Sequence, residues 1–87
     1  MTDRELKEQL KAQIIDYLNL LDITELDIAD DTAFFGPELG LDSIDSLELI
    51  VLLEREYEIK IENPAEGRKV LVDINHMAAY IVEQGKS

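Results

Sequence analysis

Ser43 stands between Asp42 and Asp45 in "LGLDSIDSLELIVLLEREYEI", where the chain turns apolar with helical spacing. A serine hydroxyl does chemistry in two ways. It attacks a substrate once a base has taken its proton, or it is itself modified by another enzyme. The first route needs a base within reach. The single histidine, His76, lies in a different predicted helix, and no spacing pairs it with Ser43. There is no cysteine, which removes thiol nucleophiles, thiolate metal sites and disulfides together. The acids of "DIADDTAFFG" lack the alternating D-x-D-x-D-G and closing Glu of a calcium loop. A serine at a helix start is ordinarily a capping residue. Here Asp42 is the better cap, with Asp45 three residues on resembling a capping box in which Asp replaces Glu. Ser43 then falls at the first helical position with its hydroxyl free. A helix start presents open N–H groups and partial positive charge, which suit an attached phosphate, while the neighbouring acids oppose it.

The elements that would position this serine can be read from periodicity. The 87 residues fit one domain, 1–87. "RELKEQLKAQIIDYLNLL" places Leu6, Leu10, Ile14, Leu18 and Leu21 three or four apart, which predicts a first helix from Asp3 to about Leu21. Residues 22–41 form a long connection, with Leu26, Ile28, Phe34, Phe35 and Leu39 as anchors across the helices. A second helix is expected from Ser43 to about Glu58. A short third opens at Pro64. A fourth, "INHMAAYIVEQ", has Asp73 or Asn75 as its cap, Ile74, Met77, Ala78 and Ile81 as its stripe, and Gly85 as its stop. No β alternation persists. The expected fold is all-α: a small four-helix bundle of three main helices and one short one, with a long first loop.

The second helix is apolar on two sides. At about 100° per residue, Leu49, Ile50, Leu53 and Tyr57 cluster on one face with Ser46 among them, as a core stripe. Ile44, Leu47 and Val51 form another stripe, with Glu48 and Arg55 at one edge and Glu54 at the other. Two readings of that second stripe stay open: a second core face of a central helix, or a partly exposed surface that meets partner proteins. Charge bears on the choice. The net charge is -12, and Ala12 to Glu54 holds eleven Asp and Glu with no Lys or Arg. Such a field repels nucleic acid and anionic lipid and steers basic protein surfaces inward. Solubility alone also accounts for an acidic surface. The stretch "MTDRELKEQLKAQ" is charged and lacks the apolar core expected of a signal peptide. The longest apolar run, "LIVLL", falls far short of the ~18 residues of a membrane span. A soluble, cytoplasmic chain without membrane insertion is expected.

The segment "FFGPELGLDSIDSLELIVLLEREYEIKI" resembles the heart of an acyl carrier protein. The triplet Asp42-Ser43-Ile44 matches that family's "DSL". The "F-x-x-x-LGLDS" spacing, the "xxELxxxLExEY" continuation and the acidic bias match as well, and the likeness runs from the first helix to "INHMAAYIVEQ". "LGLDSID" is also similar to discrete carriers of specialised type II polyketide-like pathways. The resemblance implies a four-helix carrier, not an enzyme. Its Ser43 would hold 4′-phosphopantetheine, delivered from coenzyme A by a phosphopantetheinyl transferase, and acyl groups would ride on the arm's thiol as thioesters. Asp42 would cap and orient. Asp45, Glu48 and Glu54 would meet basic patches, and Ile44, Leu47 and Val51 apolar recesses, on ketosynthase, acyltransferase, reductase or dehydratase partners of fatty-acid or polyketide-type synthesis. Such contacts would be weak and fast-exchanging, made by a monomer. Leu49, Ile50, Leu53, Tyr57 and Ile61 are the candidates for lining an acyl cavity, with ordinary core as the competing reading for each.

Three departures stand out. Ile44 replaces the usual Leu, Arg55 interrupts the acidic run, and "ENPAEGRKVLVDIN" is longer and more basic than the common third-helix segment. The alternative function is a non-catalytic acidic adaptor with the same fold and no arm. A peptidyl carrier usually reads "GGHS" at the attachment segment, where this chain has "GLDS".

Overall fold

The computed structural model describes residues 3–37 and 39–85, and of Pro64 the backbone alone. Among the described residues four α-helices follow in order: α1 (Asp3–Leu18), α2 (Ser43–Tyr57), α3 (Pro64–Val70) and α4 (Ile74–Glu83). A 3-10 turn, Glu25–Asp27, interrupts the long first loop. There is no strand among the described residues. The architecture is the small helical bundle with a long first loop that the periodicity predicts.

α1 buries Leu6, Leu10 and Ile14 against α2 and α4. It stops at Leu18, three residues early, because Asn19 turns left-handed at φ 53°. The chain then leaves the helix axis, and Leu21 is 85% exposed rather than on the stripe. Side chains join α1 to α2 along their length. Gln9 Nε2 donates to Tyr57 Oη at 3.0 Å, and Tyr57 Oη donates to Gln13 Oε1 at 2.6 Å. Tyr17 Oη donates to Glu56 Oε2 at 2.7 Å. Burial raises the Tyr57 phenol's pKa, so it stays a donor across the working range.

The long loop is held by its backbone as much as by its anchors. Ile28 and Phe34 are fully buried, and Leu39 packs half-buried against the core. Leu26 and Phe35 do not pin the loop. Leu26, on the 3-10 turn, is 97% exposed, and Phe35 turns outward. Phe34 N donates to Val72 O at 2.9 Å, Leu41 N to Phe34 O at 3.2 Å, and Asn75 N to Asp30 O at 3.0 Å. Lys11 Nζ sits 2.8 Å from Asp30 Oδ1, and their hydrogen bond holds that carboxyl below its ordinary pKa. These bonds tie the loop to α1 and to the α3–α4 connection as it lies across the bundle.

α3 and α4 begin as read from the sequence. Asn63 Oδ1 accepts from Glu66 N at 2.8 Å, and Asp73 Oδ1 from His76 N at 2.8 Å. Ile74, Met77, Ala78 and Ile81 are fully buried, and Gly85 ends the helix at φ 71°. The Tyr80 hydroxyl donates to the Glu66 carboxylate, which joins α4 to α3 and pushes the Tyr80 pKa up to about 12.

Phe34 is the deepest loop anchor, so Phe34→Ala should be among the most damaging truncations. The expected loss is about 3–5 kcal/mol in urea unfolding, against a total of roughly 5–15 kcal/mol for a domain of this kind.

Candidate functional site

The start of α2 is fixed by two aspartates acting reciprocally. Asp42 is extended, at φ -118° and ψ -174°. Its Oδ1 accepts from Ile44 N at 3.0 Å and from Asp45 N at 3.1 Å. Asp45 Oδ2 accepts in turn from Asp42 N at 3.0 Å. Open helical N–H groups are thus paired without help from the intervening serine. Ahead of the cap, Gly40 takes φ 61°, which a residue with a Cβ adopts only under strain. This turn delivers Leu41 to the core and Asp42 to the surface.

Ser43 is exposed as the first residue of α2, and its hydroxyl makes no hydrogen bond among the described residues. Behind it, Ser46 Oγ donates to Ser43 O at 2.6 Å. Ser43 edges a half-open cleft of about 590 Å³. That size lies within the usual range for small-molecule sites. One wall comes from α2 and the loop, through Ser46, Leu47, Ile50 and Phe35. The facing wall is Ile61, Glu62 and Asn63, then Gly67, Arg68 and Leu71 on and after α3.

The apolar faces of α2 are divided three ways. Leu49, Leu52, Leu53 and Tyr57 are core. Ile50 and Ser46 are half-buried and line the cleft. Ile44 is 70% and Leu47 61% exposed, while Val51 is half-buried. Glu48 and Glu54 are exposed and Asp45 partly so. Of the five side chains expected to line an acyl cavity, the structure brings Ile50 and Ile61 to the cleft. Leu49, Leu53 and Tyr57 lie in the core instead, on a helix that packs against α1. Ser46, expected in the core stripe, lies half-buried at the cleft, and Leu52, outside the expected stripe, is fully buried.

Phe35, Leu71 and Arg68 also line the cleft and were not expected there. Phe35 looked like a loop anchor, and the two residues of the α3 wall reach α2 only through tertiary packing. No local pattern points to them. His76 Nδ1 lies 2.6 Å from Asp73 Oδ1 in the cap of α4, so the imidazole is engaged by that carboxylate. Among the described residues no cluster of His, Asp and Glu is arranged to hold a metal, and no helix is long and apolar enough to cross a membrane.

A small helical bundle with a free serine at a capped helix start is the arrangement that the resemblance to the acyl carrier family implies. The family described as "Phosphopantetheine attachment site" matches residues 8–64. An acyl carrier protein of Brachyspira hyodysenteriae is 37% identical over 79 residues, covering 91% of this chain and 95% of its own. One from Akkermansia muciniphila is 31% identical over 81 residues, covering 93% and 94%. The mitochondrial acyl carrier protein of Saccharomyces cerevisiae is 34% identical over 80 residues, covering 84% of this chain and 63% of its own. The chain belongs to the acyl carrier protein family, with a domain for covalent 4′-phosphopantetheine. It is a carrier, and this stands over the armless adaptor reading. As a family member it works with biosynthetic enzymes.

The residues present fit the arm. An exposed, unbonded hydroxyl stands on the rim of an apolar cleft, at a helix start whose cap does not depend on it. Asp42→Ala should cost about 1 kcal/mol and lower Tm by about 4–8 °C in a thermal melt, with the helical spectrum retained at low temperature.

Proposed function

We propose that Ser43 is the residue that carries 4′-phosphopantetheine, and that the chain is one carrier domain over 1–87 with no catalysis of its own. The observation that supports this best is the free Ser43 hydroxyl beside the Asp42–Asp45 cap, on the cleft rim. Its place inside the family match at residues 8–64 agrees with that reading. When bound, the arm supplies the thiol that the chain lacks. The chain's own residues do the rest. Asp42 holds the helix start rigid and leaves the hydroxyl facing outward. Ile50, Ile61 and the other apolar lining residues shelter a hydrocarbon cargo from water.

The partners in this reading are a phosphopantetheinyl transferase, a ketosynthase, an acyltransferase and a reductase or dehydratase of fatty-acid or polyketide-type synthesis. They would bind along α2. Ile44, Leu47 and Val51 supply a narrow apolar ridge, and Asp45, Glu48 and Glu54 supply steering charge. The exposure of Ile44 and Leu47 supports this over a second core face. We read the chain as a cytoplasmic monomer that inserts into no membrane and binds no nucleic acid.

Intact mass after incubation with coenzyme A and a broad-specificity phosphopantetheinyl transferase tests the assignment. The parent should gain one phosphopantetheine, and Ser43→Ala none, with both retaining the same far-ultraviolet helical spectrum. A Ser43→Ala protein that still gained the arm would overturn it.

A further inference from the structure

Loading Ser43 adds negative charge where the chain has little to offset it. From Ala12 to Glu54 there are eleven acids and no cation. The α2 and loop wall of the cleft therefore contributes no basic group. Across from it, Arg68 is the one basic side chain that lines the cleft.

Arg68 is also unspent. It is exposed, and it makes no hydrogen bond or ion pair among the described residues. The basic residues of α1 differ. Arg4 pairs with Glu8, Lys7 with Asp3 and Lys11 with Asp30. On α3 the positions three and four residues before Arg68 are Ala65 and Pro64, and Leu71 and Val72 follow the helix, so its own helix offers no acid on its face. Glu66 is two residues away, points elsewhere and is taken by Tyr80. Arg68 does sit in the last turn of α3, where any cation favours the helix dipole. Lys69, beside it, meets that need equally.

We propose that Arg68 is an anion-receiving residue of the cleft, and that it favours cargo ending in a carboxylate over plain hydrocarbon cargo of the same length. The inference rests on the Ser43 reading above. A guanidinium fits an oxyanion with two parallel N–H donors, which an ammonium does not reproduce. The same chemistry reaches the cleft from two sources, the phosphodiester at Ser43 and a carboxylate at the far end of an acyl group. Glu62, on the same wall, works against both and sets how strongly Arg68 is felt.

Butyryl and succinyl groups match in carbon count and differ by the terminal carboxylate. The parent, R68Q, R68K and E62Q would be loaded from coenzyme A, butyryl-coenzyme A and succinyl-coenzyme A by a broad-specificity transferase. Intact mass confirms each form before thermal melting. In the parent, the succinyl form should melt about 1–6 °C above the butyryl form. R68Q should abolish that gap, R68K should keep part of it, and E62Q should widen it. If R68Q instead lowers the Tm of every arm-bearing form relative to its own unmodified form by one amount, the phosphodiester is the source. The anion-receiving role then stands and the cargo preference falls. If R68Q shifts unmodified and loaded forms alike, Arg68 serves only its helix and the proposal is overturned. A parent that gains no mass overturns the Ser43 reading itself, which is a distinct result.

Discussion

The reciprocal bond between Asp42 and Asp45 is the constraint on which the site depends. A helix must satisfy its first N–H groups, and a serine at that point ordinarily does so with its own hydroxyl. Here two carboxylates one turn apart take over the task. The serine between them keeps helical geometry and loses any local claim on its oxygen. The hydroxyl is left exposed and unbonded because a neighbour does the structural job. The positive end of the helix faces the same point, which tempers the charge of the acids that build the cap.

The rest of the bundle serves to keep α2 in place while leaving part of it uncovered. α1 packs against α2 and α4, and Leu6, Leu10 and Ile14 share one core with Leu49, Leu53, Met77 and Ile81. The α1–α2 hydrogen bonds through Tyr57 and Tyr17 fix the register of that contact. α3 approaches from the other side, held to α4 by Tyr80 and Glu66. It stands away from α2 far enough to leave a cleft. One helix therefore supplies core, cleft wall and exposed ridge in a single run of fifteen residues.

What could be read in the sequence follows from the range of the forces involved. The caps at Asp42 and Asp73 are contacts over two or three residues, so residue types alone point to them, with Asn75 as a second candidate for α4, whereas the Asn63 cap of α3 is a finding of the structure. The stripe of α4 was legible because every member is buried. At Leu21 and Leu26 periodicity and apolarity suggest burial, whereas Asn19 turns the chain off the helix axis before Leu21 and Leu26 lies exposed on the 3-10 turn. Leu52 was missed because α2 buries a broader face than one stripe. The cleft was only half legible. Ile50 and Ile61 could be named from the chain, but Phe35, Arg68 and Leu71 reach it by long-range packing, and nothing in their local sequence announces that.

The uneven distribution of charge has a consequence for ionic strength. The apolar core needs no counterions, and the compact state suffers the mutual repulsion of a net -12. Added electrolyte shortens the reach of that repulsion to about 10 Å at 0.1 M, and so relieves the fold. The same screening removes the long-range pull of the acidic stretch on a basic surface. One solution variable then moves stability and encounter rate in opposite directions. Dilute electrolyte favours rapid visiting by a strained molecule, and concentrated electrolyte a relaxed molecule that meets its enzymes less often.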